Sequence, residues 1–312
     1  MSKPPNTRDA SEFDTAATDC AGAIVVGVDG SPTAARAAEW AAREAVRRQL
    51  PLRLVHFVSP IDNPAFRPGG IRYRQARDML DTVRADVLRQ VSDADRLDIE
   101  TAVLPDHPGH GLVTITRAAD LVVVGTSGAG LLTRMVVGST ALALAREAHC
   151  PVVIARRPGT AAGPVLVPVI GRLAAEPLLT AGLRAASLRG TEVLLVRVWQ
   201  GRGWASAPAH IGTSPAVTDS QIAHCRRAYP TVEVRSLTIT DHTTETIENL
   251  SGAAQLIVTS HHDNGGDSSM DPCTKQLVRR ADCPVLILPG RPARLGADRD
   301  RHRVAATASS HY

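Results

Sequence analysis

The chain has 312 residues, of which 44% are hydrophobic, 3% aromatic and 21% charged, and its length accommodates two domains of ordinary size. No apolar stretch reaches the length of a membrane helix, and the polar opening MSKPPNTRDASEFDTAATDC has no apolar core of a leader peptide, so a cytoplasmic protein with no membrane partner is expected. Of the net charge of +4, residues 291–312 supply +3 and residues 1–20 supply −2, which leaves a small and dispersed +3 for residues 21–290, and the few aromatics form no stacking platform, so no nucleic-acid partner is expected.

Residues 1–20 read as a disordered start. Residues 24–28 (IVVGV) are a continuous apolar run, as in a strand buried on both faces. Ser31-Pro32 reads as an N-cap followed by proline in the first turn, and a helix is expected to about Gln49 through Ala34, Ala35, Ala38, Trp40 and Ala45. A second strand covers 52–58. A second helix over 75–95 follows from the spacing of Leu80, Val83, Val87 and Val91. Residues 99–104 make a third strand, DHPGHG (106–111) a turn, and 112–118 a short third helix. Residues 121–124 form a fourth strand, 141–147 a helix with Leu142, Leu144 and Ala145 inward, and 148–154 (AHCPVVI) lead through the last strand. Alternation of strands and helices requires right-handed crossovers and a parallel sheet covered on both faces.

The most informative stretch is 122–140, VVVGTSGAGLLTRMVVGST, which joins strand four to the following helix. Glycines at 125 and 128 would let the backbone take positive φ and approach a bulky anion, and Gly138, Ser139 and Thr140 would offer N–H groups and hydroxyls at a helix start. Such a loop suits phosphate without a lysine. It is neither a Walker A loop nor GxGxxG.

The stretch resembles the universal stress protein family, whose ATP-binding subgroup carries glycine, two residues, glycine, nine residues, then glycine with serine or threonine. Gly125, Gly128, Gly138 and Ser139 fit that pattern, and 24–31 (IVVGVDGS) and 148–154 look like the family's first and last strands. The resemblance implies ATP as ligand, with or without Mg²⁺, near Val28, Asp29 and the end of the second strand at His56 and Phe57. It implies a nucleotide contact for Asp29, which also reads as an Asx turn before the Ser31 cap. The Phe57 position is one whose backbone reads the adenine edge in the family; a plain core aromatic is the other reading. Arg134 lies within the loop and in reach of phosphates. His107 and His110 fall in the turn that the family places near the phosphates and read as loop residues.

The chain repeats itself. Residues 24–28 match 165–169 (VLVPV), 52–58 match 193–199 (VLLVRVW), 119–123 match 254–258, and 148–154 match 281–287 (ADCPVLI), in the same order. The expected organisation is a first unit over 21–158, a linker at 159–163, a second unit over 164–290 and a disordered basic tail over 291–312. The fold class is α/β, with two tandem doubly wound parallel-sheet α/β/α sandwiches, Rossmann-like. In the second unit Ile170 replaces Asp29, and the segment SHHDNGGDSSMDPC puts Ser260 at Gly125, Asp263 at Gly128, Asp271 at Gly138 and Pro272 at Ser139. Acidic residues repel phosphate and proline removes a helix-start donor, so only the first unit is expected to hold ATP.

The five cysteines form no CxxC pair and are expected to be reduced thiols, and His261, His262 and Asp263 read as a polar loop, so no metal site is expected. The last strands, rich in Val, Ile and Leu, would be edge liabilities unless paired, and pairing 152–154 with 285–287 would give an internal pseudo-dimer, with homodimerisation also open. Three functions stand: an ATP-binding regulator of a stress response with no catalytic residue, a slow ATPase or nucleotidyl-transfer enzyme, and a nucleotide-free interaction module.

Overall fold

The computed structural model describes residues 20–58, 70–126, 138–169, 175–198, 219–239, 243–261 and 272–290. In the first unit, strands β1 (Ile24–Gly27), β2 (Leu52–Val58), β3 (Ile99–Pro105), β4 (Leu121–Gly125) and β5 (Val152–Ala155) alternate with helices α1 (Pro32–Arg48), α2 (Ile71–Gln90), α3 (Pro108–Ile115) and α4 (Ser139–Glu147). The second unit repeats the plan with β6 (Val165–Val169), α5 (Ala175–Arg189), β7 (Val193–Val198), α6 (Asp219–Arg226), β8 (Val234–Ile239), α7 (Thr243–Ser251), β9 (Leu256–Ser260), α8 (Pro272–Arg280) and β10 (Val285–Leu288).

All ten strands form one sheet, in the order β3-β2-β1-β4-β5-β10-β9-β6-β7-β8. Within each unit every pairing is parallel. The units meet where β5 and β10 pair antiparallel, Val285 with Ile154, Leu286 with Val153 and Ile287 with Val152. The edges that the sequence leaves unpaired in each half therefore close on one another, and β5 and β10 are buried throughout. Side chains alternate between two core layers that both cross the seam. One contains Ala37, Ala41, Leu80, Leu178 and Leu183, and the other Leu112, Leu144, Leu277 and Val278.

Helix α1 begins as its sequence requires: Ser31 Oγ accepts the Ala34 N–H at 3.2 Å, with proline behind it. Helix α2 starts at Ile71, four residues before the expected position, and ends at Gln90, because its chain turns away at Val91 before a 3-10 turn at Ala94–Arg96. Helix α3 starts at Pro108, so DHPGHG is not a turn. His107 is the N-cap residue and His110 lies inside the helix, proline at the first position outweighing the breaking tendency of Gly109 and Gly111. Gly111 is used for packing: a Cβ there would lie 2.1 Å from Phe57 Cε1. Gly111→Ala is therefore expected to cost about 1–3 kcal/mol, measured by the urea midpoint. Gly109→Ala, whose Cβ would meet nothing closer than 3.9 Å, should leave the midpoint unchanged or raise it.

A second set of contacts ties the halves together at helix ends. Arg156, just past β5, donates from Nη1 to the carbonyls of Val278 (3.2 Å) and Arg279 in the last turn of α8, the helix end where a cation is favoured. Arg157 pairs with Asp282.

Candidate functional site

Strand order in the first unit reverses between β1 and β4, which leave the sheet centre in opposite directions, and a crevice opens outside their carboxyl ends. A cleft of ≈ 280 Å³ occupies it. Gly27, Val28 and Asp29 line it from the end of β1, Ser31, Thr33 and Ala34 from the start of α1, and His56 and Phe57 from the end of β2. Pro108 and Leu112 of α3 close one side. Val124, Gly125 and Thr126 come from the end of β4, and Gly138, Ser139, Thr140 and Ala141 from the start of α4.

The cleft therefore gathers Val28, Asp29, Phe57, Gly125, Gly138, Ser139 and Thr140, scattered over more than a hundred positions in sequence. Gly128 and Arg134 lie outside the described residues. Thr33 and Thr126 join the cleft without having been singled out in the sequence; as ordinary hydroxyl residues beside a cap and a glycine, they carry no signal there.

Two expectations about the loop change. Gly125 does not have positive φ. It is required instead because a Cβ there would sit 2.9 Å from the carbonyl carbon of Thr33, so the end of β4 touches the first turn of α1 through bare backbone. Nor does Gly138 offer a free amide: its N–H donates to the Thr126 carbonyl at 2.7 Å, bringing the chain back to the end of β4 before α4 begins. Gly138 caps α4 without a side chain, its carbonyl accepting from Leu142 N–H at 3.1 Å. The amides of Ser139, Thr140 and Ala141 then have no acceptor within the helix, and all three residues line the cleft.

Asp29 Oδ1 accepts the Ser31 N–H at 3.0 Å, the Asx turn expected before the cap, and the residue is exposed at the cleft. Ser31 Oγ and Thr33 Oγ1 are 2.9 Å apart. Phe57 divides its roles. Its ring is buried against α3, as for a core aromatic, while its residue also borders the cleft. His56 Nδ1 lies 2.7 Å from the Val28 carbonyl. Among the described residues the polar lining is thus hydroxyls, one carboxylate, one imidazole and helix-start amides.

Asp106 Oδ2 holds His110 Nδ1 at 2.7 Å on the outer surface of α3, but His110 does not line the cleft. No group of three or more His, Cys, Asp or Glu side chains suited to a metal exists among the described residues. The five cysteines are buried and unbridged. Burial, with Asp120 adding to it, pushes the Cys150 thiol up to about 12, and burial with Asp282 does the same for Cys283, so neither supplies a thiolate nucleophile at neutral pH.

The second unit is built differently at the matching place. Helix α8 begins with Pro272, which has no N–H, and Ser260, where the first unit has Gly125, is buried. Thr259 Oγ1 and Thr274 Oγ1 are 2.9 Å apart and fill the interior behind it. Ile170, His262, Asp263, Asp267 and Asp271 fall outside the described residues. His261 is buried, with its N–H on the Leu288 carbonyl at 2.9 Å.

An α/β protein with paired doubly wound halves, one of them carrying an anion-ready crevice at its switch point, is the class that fold and site define. The sequence profile of the universal stress protein family matches residues 22–156 and again 162–289, and the chain belongs to that family. Universal stress protein Rv2623 of Mycobacterium tuberculosis (strain H37Rv) is 31% identical over 286 residues, spanning 85% of this chain and 95% of that protein. Universal stress protein Rv2005c of the same organism is 28% identical over 285 residues, spanning 85% and 96%. Among solved structures, a universal stress protein from Archaeoglobus fulgidus matches with a TM-score of 0.61 at 14% identity, over 86% of this chain and 98% of that one, a likeness of fold.

Proposed function

We propose that the chain is an ATP-binding regulator in which the first unit alone holds the nucleotide and no hydrolytic apparatus acts on it. The observation that carries this reading is the start of α4. Three amides without intrahelical acceptors and two hydroxyls, at Ser139, Thr140 and Ala141, line a crevice flanked by an exposed carboxylate at Asp29 and the end of β2 at Phe57. Anionic phosphates belong at the helix start, a ribose hydroxyl suits Asp29, and a flat base fits toward β2. The adenosine fit is supported by the glycine pattern that the family's ATP-binding subgroup shares. Mg²⁺, where present, would ride on the phosphates, since Asp29 is the only carboxylate in the described lining.

Turnover would need a base against an attacking water and a clamp on the transferred phosphate. Among the described residues the lining contains no Lys or Arg; its imidazole, His56, is taken up by the Val28 carbonyl, and His110, paired with Asp106 at 74% side-chain exposure, does not line the cleft. Occupancy rather than chemistry is then the signal. A homodimer or a partner would read it on the outer surface of the paired halves.

The test is calorimetric titration of nucleotide-free protein with ATP, together with identification of any small molecule released on denaturing the protein as purified. One ATP per chain is expected, with turnover no faster than a slow leak. Two per chain would refute restriction to the first unit, none would leave an interaction module, and brisk phosphate release would make it an enzyme.

A further inference from the structure

The ladder between the first two strands of each unit is one rung shorter in the first unit than in the second. In the second, β6 pairs with β7 over five positions, the last being Val169 with Arg197. In the first, β1 pairs with β2 over four, ending at Gly27 with Val55. Aligning Ile24 with Val165 makes Val28 the counterpart of Val169, His56 of Arg197 and Phe57 of Val198. The first unit therefore lacks the pairing of Val28 with His56.

Parity shows what that missing pair leaves open. The Ile24 N–H donates to Pro51 O at 2.9 Å and the Val28 N–H to Val55 O at 2.8 Å, whereas the Leu52 N–H donates to Asp98 O beside β3. Odd-numbered residues of β2 thus face β1 and even-numbered ones face β3. The next odd residue is Phe57, whose N–H would continue the ladder onto the Val28 carbonyl. Instead that carbonyl is held by His56 Nδ1 at 2.7 Å. A carbonyl only accepts, so Nδ1 carries the proton of this bond. In the second unit Arg197 turns its Nη1 to Asp219 at 3.1 Å, and the ladder closes.

We infer that His56 is a positioning residue: its imidazole takes the rung that Phe57 would otherwise make, and so keeps the Phe57 N–H and C=O facing the cleft. A donor and an acceptor side by side on one strand edge match a base that presents a ring nitrogen acceptor beside an exocyclic amine, which is the adenine edge. A 6-oxo purine presents the reverse and is rejected by the same pair. This rests on the nucleotide reading above for the identity of the ligand, though not for the open rung itself. The imidazole acts through the backbone and needs no contact with the nucleotide.

The experiment compares nucleotide-free wild type with His56→Leu and His56→Asn. Amide hydrogen exchange is followed at Val55 and Phe57, and affinities are measured for ATP, ITP and inorganic tripolyphosphate. In the wild type, Val55 should be protected and Phe57 should exchange fast until ATP is added. In His56→Leu the rung closes: Phe57 becomes protected without ligand, ATP binding weakens about tenfold, the worth of one good hydrogen bond, and tripolyphosphate is bound as before. Asparagine places its Nδ2 near the position of the imidazole Nδ1, so His56→Asn should restore both the fast exchange and most of the ATP affinity. ITP should bind the wild type at least tenfold more weakly than ATP. Protection of Phe57 equal to that of Val55 in the wild type would overturn the inference, as would equal weakening of ATP and tripolyphosphate in His56→Leu. A wild type that binds no ATP, yet shows a fast Phe57 amide that slows in His56→Leu, would sink the nucleotide reading while upholding the open rung.

Discussion

Glu44→Ala is expected to destabilise the chain by about 3–5 kcal/mol, the cost of leaving buried charge without its partner. Glu44 is wholly buried on α1, and both its oxygens are engaged. Arg48 Nε lies 2.7 Å from Oε1, and Arg189 Nη2, arriving from α5 of the other unit, lies 2.6 Å from Oε2. Arg189 has a side-chain exposure of 2% and otherwise leans on the Ala185 carbonyl and the face of Trp40, 5.8 Å from the ring centroid. Arg48 is also bonded to Asp120 at 3.2 Å and so retains an anion when Glu44 is lost. Arg189 does not. The two guanidiniums occupy matching places in the two halves, but Glu44 is matched by Ala185, so one carboxylate serves both. A pair of second units would bring Arg189 against Arg189 with none, which favours pairing of unlike halves.

The measurement is a urea titration of wild type, Glu44→Ala and Glu44→Ala combined with Arg189→Met. The single variant should lose most, and the double should recover a large part by removing the stranded charge. A loss below about 1 kcal/mol would mean that the cluster behaves like a surface pair. Acid provides a second handle. Burial pushes the Glu44 carboxyl up, but Arg48 and Arg189, with Arg47 beyond them, more than offset this and hold it below its ordinary value of 4.5. A depressed carboxyl contributes stability above its unfolded pKa and loses it as pH falls through the folded one. The advantage of wild type over Glu44→Gln should therefore be full at neutral pH and shrink below about 4.5.

This cluster also marks a limit of reading the sequence. A glutamate among alanines on an amphipathic helix looks like part of the solvated face, although Glu44 sits in line with Ala37 and Ala41 on the buried stripe, and only the arrival of α5 explains it. The strands were legible because buried parallel strands are continuous apolar runs, and the tandem plan followed from segments matched in order. Pairing of β5 with β10 could be foreseen from the cost of leaving such edges open. What stayed hidden depended on partners distant in sequence. Gly125 looked conformational and proved to be a close approach to Thr33, and the Gly138 amide looked free and proved to be held by Thr126. The helix at Pro108 was obscured by its own glycines, one of which, Gly111, makes room for Phe57. His56 carried no sequence signal as a backbone holder, since the missing rung exists only by comparison of two ladders.

Gly138→Glu should abolish ATP binding in practice, with a loss of at least about 100-fold, while leaving the fold intact or slightly firmer. Gly138 has φ −62° and ψ 152°, ordinary extended geometry that any residue adopts, so the substitution introduces no backbone strain. A carboxylate at the N-cap of α4 sits where the helix favours negative charge and competes for the amides of Ser139, Thr140 and Ala141 that the phosphates would use. It also repels them: at about 4 Å, near a protein surface, one like-charge pair is worth about 4 kcal/mol, more than the roughly 2.7 kcal/mol that a hundredfold loss requires. The two readouts thus move in opposite directions, affinity down and nucleotide-free melting temperature level or up, which no general unfolding can mimic. Gly138→Ala keeps the cap geometry without the charge and should bind ATP within a few-fold of wild type. The second unit carries Asp271 at the matching sequence position, so the variant gives the first unit a charge like that of the half expected not to bind. ATP binding to Gly138→Glu at wild-type affinity would show that the triphosphate does not lie at the start of α4.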